Sequence, residues 1–113
     1  MTVKDIEGLI DGTCVQSNFK DASFSAVYSS DLLSDVLANC PDGAVLVTVQ
    51  AHQNTIAVAS MKDIPAVIVC NDRPIPPDML TAAAEESVAV FVTPLDQFTV
   101  DGRLYTALKQ IRK

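Results

Sequence analysis

Three short apolar segments, each followed by polar residues, constrain the fold of this chain more than any other feature. They occupy residues 44–49, 66–70 and 88–92, and stretches with helical character separate them. Near-continuous apolar strands that alternate with helices are typical of a parallel sheet whose two faces are both covered. We therefore expect an α/β fold with three layers, in which a mainly parallel sheet lies between helices.

The polar residues after these segments predict where a ligand binds. In open parallel sheets, ligands bind beyond the carboxyl ends of the strands, which lie together at one edge of the sheet. The polar side chains that follow the three segments form the candidate ligand site, which consists of Gln50, His52, Asn54, Asn71, Asp72, Arg73, Thr93 and Asp96.

Shorter elements precede this region. We expect a helix over residues 3–9 that Thr2 caps, strands over residues 13–16 and 24–28, and a helix over residues 32–39. The inner face of the helix over residues 32–39 is expected to consist of Leu32, Leu33, Val36 and Leu37.

Three more helices connect or follow the apolar strands. One begins near residue 53 and is apolar or small on nearly every side as far as Met61, which predicts a central, buried helix. The next follows three prolines, and its expected inner face consists of Met79, Leu80, Ala83 and Ala84. The last is expected over residues 104–111, with an inner face made of Leu104, Leu108 and Ile111.

His52 is the single histidine, and two interpretations of it stay open. It follows a strand and precedes a helix, where an imidazole can act as a general base with Asp72 or Asp96 as its partner. No serine or cysteine nucleophile with an orienting acid is recognisable, and one histidine cannot build a usual zinc site. The other interpretation is a polar cap that satisfies backbone groups at the start of the helix.

The remaining polar residues at the strand ends also allow two interpretations each. The amide side chains around His52 either contact an anion or a nucleobase or cap the helix that follows. Arg73 either holds a phosphate or carboxylate with two hydrogen bonds, or forms a weak surface pair with Asp72. Thr93 and Asp96 either bond to a ligand or cap the last segment, and the cap is the favoured interpretation.

Missing motifs exclude the common nucleotide-dependent chemistries. The sequence has four glycines, no GxGxxG after a strand and no GxxxxGK[ST]. A nicotinamide-type dinucleotide site and a P-loop are therefore not expected. The three separated cysteines contain no CxxC pair, and we predict neither a metal nor a cofactor.

Length and charge limit the class of protein further. A chain of 113 residues, 49% hydrophobic and 19% charged, is expected to form one domain. A net charge of −6 with scattered basic residues argues against nucleic-acid binding. The cysteine usage, the absence of a signal-peptide core and the absence of a membrane-spanning apolar run predict a cytoplasmic protein.

The order and spacing of several segments resemble a DRTGG domain. The resemblance covers residues 30–110 approximately, and it is strongest to the short stand-alone DRTGG proteins that accompany iron-only hydrogenase gene clusters in anaerobes. The segments that carry it are LVTVQAHQNTIAVA at residues 46–59, IPAVIV at residues 64–69, Arg73-Pro74 and Pro77, VFVTPLDQF at residues 90–98 and GRLY at residues 102–105.

Two segments depart from the pattern that gives the family its name. Residues 50–54, QAHQN, stand where the family typically shows Asp-Arg followed by Thr. Residues 70–72, CND, stand where it shows Thr-Gly-Gly. The ligand of other DRTGG domains is therefore not transferred to this chain.

The resemblance implies a fold similar to the N-terminal domain of HPr kinase/phosphorylase and a regulatory role. The catalysis of that kinase belongs to a separate P-loop domain, whose motif this chain lacks. We therefore expect residues 1–113 to form a single non-catalytic domain, a homodimer that binds a small anionic or nucleotide-like ligand at the strand ends.

Two other functions stay open. The first is a homo-oligomeric accessory protein of a hydrogenase-type redox system, with a protein partner and no small-molecule site. A positive mean hydropathy of +0.26 favours it, because few charges are left to cover an exposed surface. The second is a minimal enzyme that uses His52 as its base.

Overall fold

The computed structural model describes residues 1–111, and the side chains of residues 1–110. A short 3-10 helix, Val3–Asp5, precedes five strands and five α-helices. The strands are β1, Thr13–Gln16; β2, Val27–Ser29; β3, Val45–Thr48; β4, Ala66–Val69; and β5, Ala89–Val92. The helices are α1, Ile6–Leu9; α2, Leu33–Asn39; α3, Gln53–Met61; α4, Pro77–Glu86; and α5, Gln97–Ile111. None of the described helices combines the length and the apolar character that a bilayer span needs.

The five strands form one sheet in the order β1-β5-β4-β3-β2. Strands β2 to β5 are parallel to one another, whereas β1 is antiparallel to β5. The three helical crossovers between the parallel strands all run in the same direction across the sheet. Because such crossovers are right-handed, α2, α3 and α4 lie on the same face. The predicted α/β fold with a mainly parallel sheet is confirmed.

Apolar residues on the two faces of the sheet form two separate cores. Leu46 and Val67 point to the face that α2, α3 and α4 cover. Val45 and Ile68 point to the opposite face, where Leu104 of α5 and the apolar residues of α1 pack against them. Alternate residues of a strand face opposite sides, and every residue of β3 and β4 is buried. Helices therefore cover both faces, which confirms the three-layer arrangement.

Helix α3 is central, as predicted. It contacts both α2 and α4, and its Ile56 and Ala59 are fully buried. Its last residue, Met61, is 68% exposed, so the helix is not buried on every side. Beyond its first turn, the other exposed residues of α3 are the small Ala57 and Ser60, so the segment contains no charged side chain.

Two of the four residues predicted to face inward from α2 do not. Val36 is buried and Leu33 packs against the core, but Leu32 and Leu37 are exposed. Leu32 precedes the helix with an extended backbone, so helical periodicity does not apply to its side chain. Leu37 follows Val36 by one position, which turns it by about 100° around the helix and away from the core.

The second strand is shorter and later than predicted. It begins at Val27, and Phe24 lies outside it in the core beneath α1 and α5. The Phe24 N–H donates to the Met1 carbonyl at 3.1 Å, and an isolated bridge joins Thr2 to Ser23. The alternation of residues 24–28 therefore partly reflects packing against the N-terminal segment rather than a strand.

Helix α5 begins at Gln97, well before the predicted start near Leu104. Leu104 is buried and Leu108 is partly buried, as expected, while the side chain of Ile111 lies outside the described residues. The early start has a local cause, because the Asp96 carboxylate accepts a hydrogen bond from the Thr99 N–H at 2.8 Å and caps the helix.

Candidate functional site at the strand ends

The carboxyl ends of β2, β3, β4 and β5 lie at one edge of the sheet because these strands are parallel. The connections that leave this edge are residues 30–32, 49–52, 70–76 and 93–96. All eight predicted site residues lie in these connections or in the first turn of α3. Seven of them are exposed, and Thr93 alone among the eight is buried.

Asp31, in the connection that follows β2, joins three elements at this edge. Its Oδ1 atom accepts hydrogen bonds from the Val49 N–H at 2.9 Å, the Thr48 hydroxyl at 3.2 Å and the Gln97 amide at 3.1 Å. The carboxylate therefore links the end of β2 to the end of β3 and to the start of α5. The sequence contains a signal that places Asp31 at this edge, because Asp31 follows a parallel strand as the predicted site residues do.

Gln50 is exposed at the end of β3, and hydrogen bonds fix its position. Its Nε2 donates to the Asp31 carbonyl at 3.0 Å, and its backbone N–H donates to the Thr48 hydroxyl at 3.1 Å. Its carbonyl accepts from the buried Thr55 hydroxyl at 2.9 Å. The connection between β3 and α3 is therefore preorganised, which lowers the entropic cost of binding a ligand there.

The imidazole of His52 caps α3. Its Nδ1 accepts a hydrogen bond from the Asn54 N–H at 3.0 Å, and its own backbone is extended. This hydrogen bond needs a lone pair on Nδ1, so Nε2 carries the proton of the neutral ring. The interpretation of His52 as a polar cap is confirmed, and its ring remains exposed at the surface.

Asn71 and Asp72 form a turn in the left-handed region, with φ values of +63° and +53°. Asparagine and aspartate adopt this conformation more readily than most residues. The N–H of Asn71 donates to the Leu95 carbonyl at 3.0 Å, and the N–H of Asp72 donates to the Thr93 carbonyl at 2.9 Å. The turn is therefore fixed to the neighbouring connection, and its side chains are exposed.

Arg73 follows this turn and is exposed. Within residues 1–110, its guanidinium forms no ion pair, either with Asp72 or with another carboxylate. The interpretation of Arg73 and Asp72 as a neutralising surface pair is therefore wrong for this structure. The guanidinium can offer two N–H groups to an anionic ligand.

Thr93 and Asp96 serve the fold. Thr93 is fully buried, and its hydroxyl donates to the Ile10 carbonyl at 2.6 Å and accepts from the Leu95 N–H at 3.1 Å. The hydrogen bonds that Asp96 accepts from Thr99 lower the pKa of its carboxyl group. The favoured interpretation of Asp96 as a cap is confirmed. The buried Thr93 side chain stabilises the connection between β5 and α5.

Negative charge surrounds the end of β4. Burial raises the pKa of the Cys70 thiol to about 12, and the charges of Asp101, Asp31 and Asp96 add to the rise. Cys70 is therefore a neutral, unreactive thiol near neutral pH. Arg73 is the one arginine or lysine in the four connections. In the described part of the chain, no three histidine, cysteine or acidic side chains are placed to hold a metal ion.

The structure brings the exposed residues together at the ends of β3 and β4, which are adjacent strands. They provide hydrogen-bond donors and acceptors on two fixed connections: Gln50, His52, Asn54, Asn71, Asp72 and Arg73. Among the described residues, His52 and Asp96 accept hydrogen bonds from Asn54 and Thr99, which belong to the helices that they cap. This arrangement presents hydrogen-bond donors and acceptors at the edge of the sheet beyond the strand ends.

Comparison with known proteins supports the architecture. No protein-family model and no curated protein sequence matches this chain. A solved structure that does match contains the CBS and DRTGG domains of the regulatory region of Clostridium perfringens pyrophosphatase, complexed with the activator diadenosine tetraphosphate. The match has a TM-score of 0.72 and 14% sequence identity, and it covers 90% of this chain and 45% of that chain. The chain thus spans less than half of that structure, and the similarity supports a DRTGG-like α/β fold.

Proposed function

We propose that this chain is a non-catalytic regulatory domain that binds a small nucleotide-like or anionic ligand at the ends of β3 and β4. The observation that carries the proposal is the group of exposed polar side chains on two preorganised connections, namely Gln50, His52, Asn54, Asn71, Asp72 and Arg73. The edge beyond the carboxyl ends of parallel strands is where ligands bind in sheets of this kind.

Arg73 and the start of α3 suit an anionic group of the ligand. An arginine holds a phosphate or carboxylate with two N–H groups, and the N-terminus of a helix carries partial positive charge. The negative side chains of Asp31 and Asp72 would repel a second anionic group of the ligand. They suit a part of the ligand that donates hydrogen bonds, such as the amino group of a nucleobase or a ribose hydroxyl. The charges therefore favour a nucleotide-like ligand over inorganic phosphate.

In this proposal, Thr93 and Asp96 contribute indirectly. The Thr93 carbonyl accepts the hydrogen bond of the Asp72 N–H, and its hydroxyl fixes the same connection to Ile10, the residue that follows α1. The Asp96 cap sets the start of α5, whose Gln97 side chain bonds to Asp31. Both residues thus position the exposed residues rather than contact the ligand.

The similar structure from Clostridium perfringens supports a regulatory role, because it is a regulatory region in complex with a nucleotide activator. A kinase activity is not part of the proposal, since the sequence contains no P-loop motif. The proposal also includes a cytoplasmic location and a homodimer.

Amide NMR spectra recorded during titration with adenine and uridine nucleotides, adenosine and inorganic phosphate test the proposal. We expect saturable shifts at residues 50–55 and 71–73 with a nucleotide, and weaker binding of adenosine and of phosphate alone. Arg73→Ala removes a charge-assisted contact and should weaken nucleotide binding by about ten- to a hundredfold. Its control is Lys62→Ala, which removes a cation paired with Asp42 at the other end of α3. Equal losses in both variants, or no shift with any compound, would refute the proposed site.

A homo-oligomeric accessory protein of a redox system, without a small-molecule site, is the second candidate. Three large apolar side chains favour it, because Met61, Phe98 and Tyr105 are 68%, 86% and 64% exposed. Such residues often mark protein contacts. A well-folded oligomer that binds none of the titrated compounds would support this function over the first.

A further inference from the structure

Strand β2 lies at one edge of the sheet, and half of its backbone groups face away from the sheet. The carbonyl of Ala26 and the N–H of Ser30 bond to β3. In parallel pairing, alternate residues of a strand bond to the same neighbour, so Tyr28 also faces β3, while Val27 and Ser29 face outward. Within the described structure, the backbone N–H and C=O groups of Val27 and Ser29 have no hydrogen-bond partner. This edge can therefore accept another strand.

An open groove of about 620 Å³ runs between this edge and one side of α5. Residues 25–27 and 29 line it on the side of β2. On the side of α5, Phe98 and Tyr105 line it, and both aromatic rings are largely exposed. Exposed aromatic groups beside an unpaired strand edge indicate a surface that another chain covers.

The charges on this side of α5 match those of a second copy of the helix. Asp101, Tyr105 and Lys109 follow one another at intervals of four residues and form a row along the groove. The Lys109 ammonium lies 5.4 Å from the centre of the Tyr105 ring. When two such rows run antiparallel with Tyr105 at their centre, each Asp101 lies opposite the Lys109 of the other copy. The row is therefore self-complementary in charge, as a two-fold interface requires.

The carboxyl group of Asp101 gives a further reason to expect a cation at this surface. Its Oδ1 atom is buried and has no hydrogen-bond partner among the described residues. A buried carboxylate oxygen without a partner is unfavourable. A lysine ammonium from a second copy offsets part of that cost through its charge, without having to contact the buried oxygen.

From these features we infer that the outer edge of β2 and the adjoining side of α5 bind a second copy of this chain. A two-fold axis beside Tyr28 places Val27 of each copy opposite Ser29 of the other, so that their backbone groups pair in an antiparallel ladder. The two sheets then join into one, and the two α5 helices lie antiparallel on the same face. This arrangement assigns a surface to the homodimer of the proposed function, and it does not depend on whether the strand ends bind a ligand.

Sedimentation velocity of the full chain, without ligand and from low to high micromolar concentration, tests the assignment. We expect the wild-type protein to be a dimer and Phe98→Glu to raise its dissociation constant by more than about tenfold, because an exposed aromatic contact is replaced by a charge. Met61→Glu is the matched control, since Met61 is also exposed and apolar but lies on α3. A monomeric wild-type protein, or equal effects of the two substitutions, would overturn the assignment.

Amide hydrogen exchange at dimeric and diluted concentrations locates the interface independently. The Val27 and Ser29 N–H groups should exchange slowly in the dimer and fast after dilution. The Tyr28 N–H, which faces β3, should be protected in both conditions and serves as the internal control. A dimer in which Val27 and Ser29 exchange equally fast at both concentrations would place the interface elsewhere and overturn the inference.

Discussion

The side-chain amide of Gln97 donates to the Asp31 carboxylate over 3.1 Å and thereby connects the start of α5 to the end of β2. The same amide lies 3.4 Å from the Ser29 hydroxyl. Among the described strands, β3 is the one neighbour of β2 in the sheet, so β2 lies at its edge. These side-chain hydrogen bonds therefore help to hold an edge strand against the helix that covers it.

Replacing Asp31 by alanine should destabilise the fold. The substitution leaves the Thr48 hydroxyl and the Val49 N–H without their acceptor, although solvent reaches the exposed side of this site. We expect the free energy of unfolding in urea to fall by about 1–2 kcal/mol. Glu85→Ala, on the exposed side of α4, should stay within about 0.5 kcal/mol of the wild-type value. Equal stabilities of the two variants would contradict the role of Asp31.

Two substitutions of His52 separate capping from ligand contact. His52→Ala removes the acceptor of the Asn54 N–H and should lower the free energy of unfolding by about 0.5–2 kcal/mol. His52→Asn keeps a side-chain acceptor at the cap and should retain most of the stability. If the imidazole also contacts the ligand, both variants will bind it more weakly in the NMR titration. Similar losses of stability in the alanine and asparagine variants would argue against the role of His52 as the cap of α3.

Thr93→Val tests the buried hydroxyl. Valine has nearly the same shape, but it leaves the Ile10 carbonyl and the Leu95 N–H without their partner. The free energy of unfolding in urea should fall by about 1–3 kcal/mol. In NMR spectra, the Asp72 amide should also shift, because it bonds to the Thr93 carbonyl.

Thr93→Ser provides the control for this experiment. It keeps the hydroxyl and removes one methyl group, so its loss of stability should be smaller, near 0.8 kcal/mol, the approximate value for one buried methylene. A valine variant that is at least as stable as the serine variant would show that the hydroxyl is dispensable.

The lowered pKa of Asp96 predicts a part of the stability that depends on pH. Hydrogen bonds from Thr99 favour the charged carboxylate in the folded protein, so its pKa lies below that of the unfolded chain. The resulting stabilisation is complete above the unfolded value, about 3.9, and is lost as the pH falls through the folded value.

Comparison of wild-type protein with Asp96→Asn across this pH range measures the effect. Asparagine can still cap the helix, so the substitution removes mainly the charge. The urea midpoints should differ most near neutral pH, with the wild-type protein more stable, and should converge in acid. A difference that does not change with pH would show that the charge of Asp96 plays no part.

The centre of the fold could be predicted from the sequence because each element there carries its own signal. Strands β3 and β4 are buried on both faces, so they are continuously apolar, and polar residues mark their ends. Strand β2 and the start of α5 carry no such signal. Val27 enters a strand because it pairs beside Val45, and Gln97 enters a helix because Asp96 caps it.

The position of the candidate site could also be predicted, but the role of each residue could not. Parallel strands bring their carboxyl ends to one edge whatever the details of packing. Which side chains stay exposed depends on partners far away in the chain. The Thr93 hydroxyl is unavailable because it bonds to Ile10, 83 positions earlier, and Asp31 acquires its role through Gln97.

The pairing of β1 with β5 has a consequence for the order in which the protein assembles. Thr13 of β1 lies opposite Val92 of β5, so the first of the described strands pairs with the last of them. A chain that leaves the ribosome from its N-terminus must hold β1 unpaired until nearly all of the sheet has been synthesised. Such distant pairings also slow folding, because a long loop must close before they form. We therefore expect β1 to close the domain at the end of folding, around a parallel sheet that has already formed.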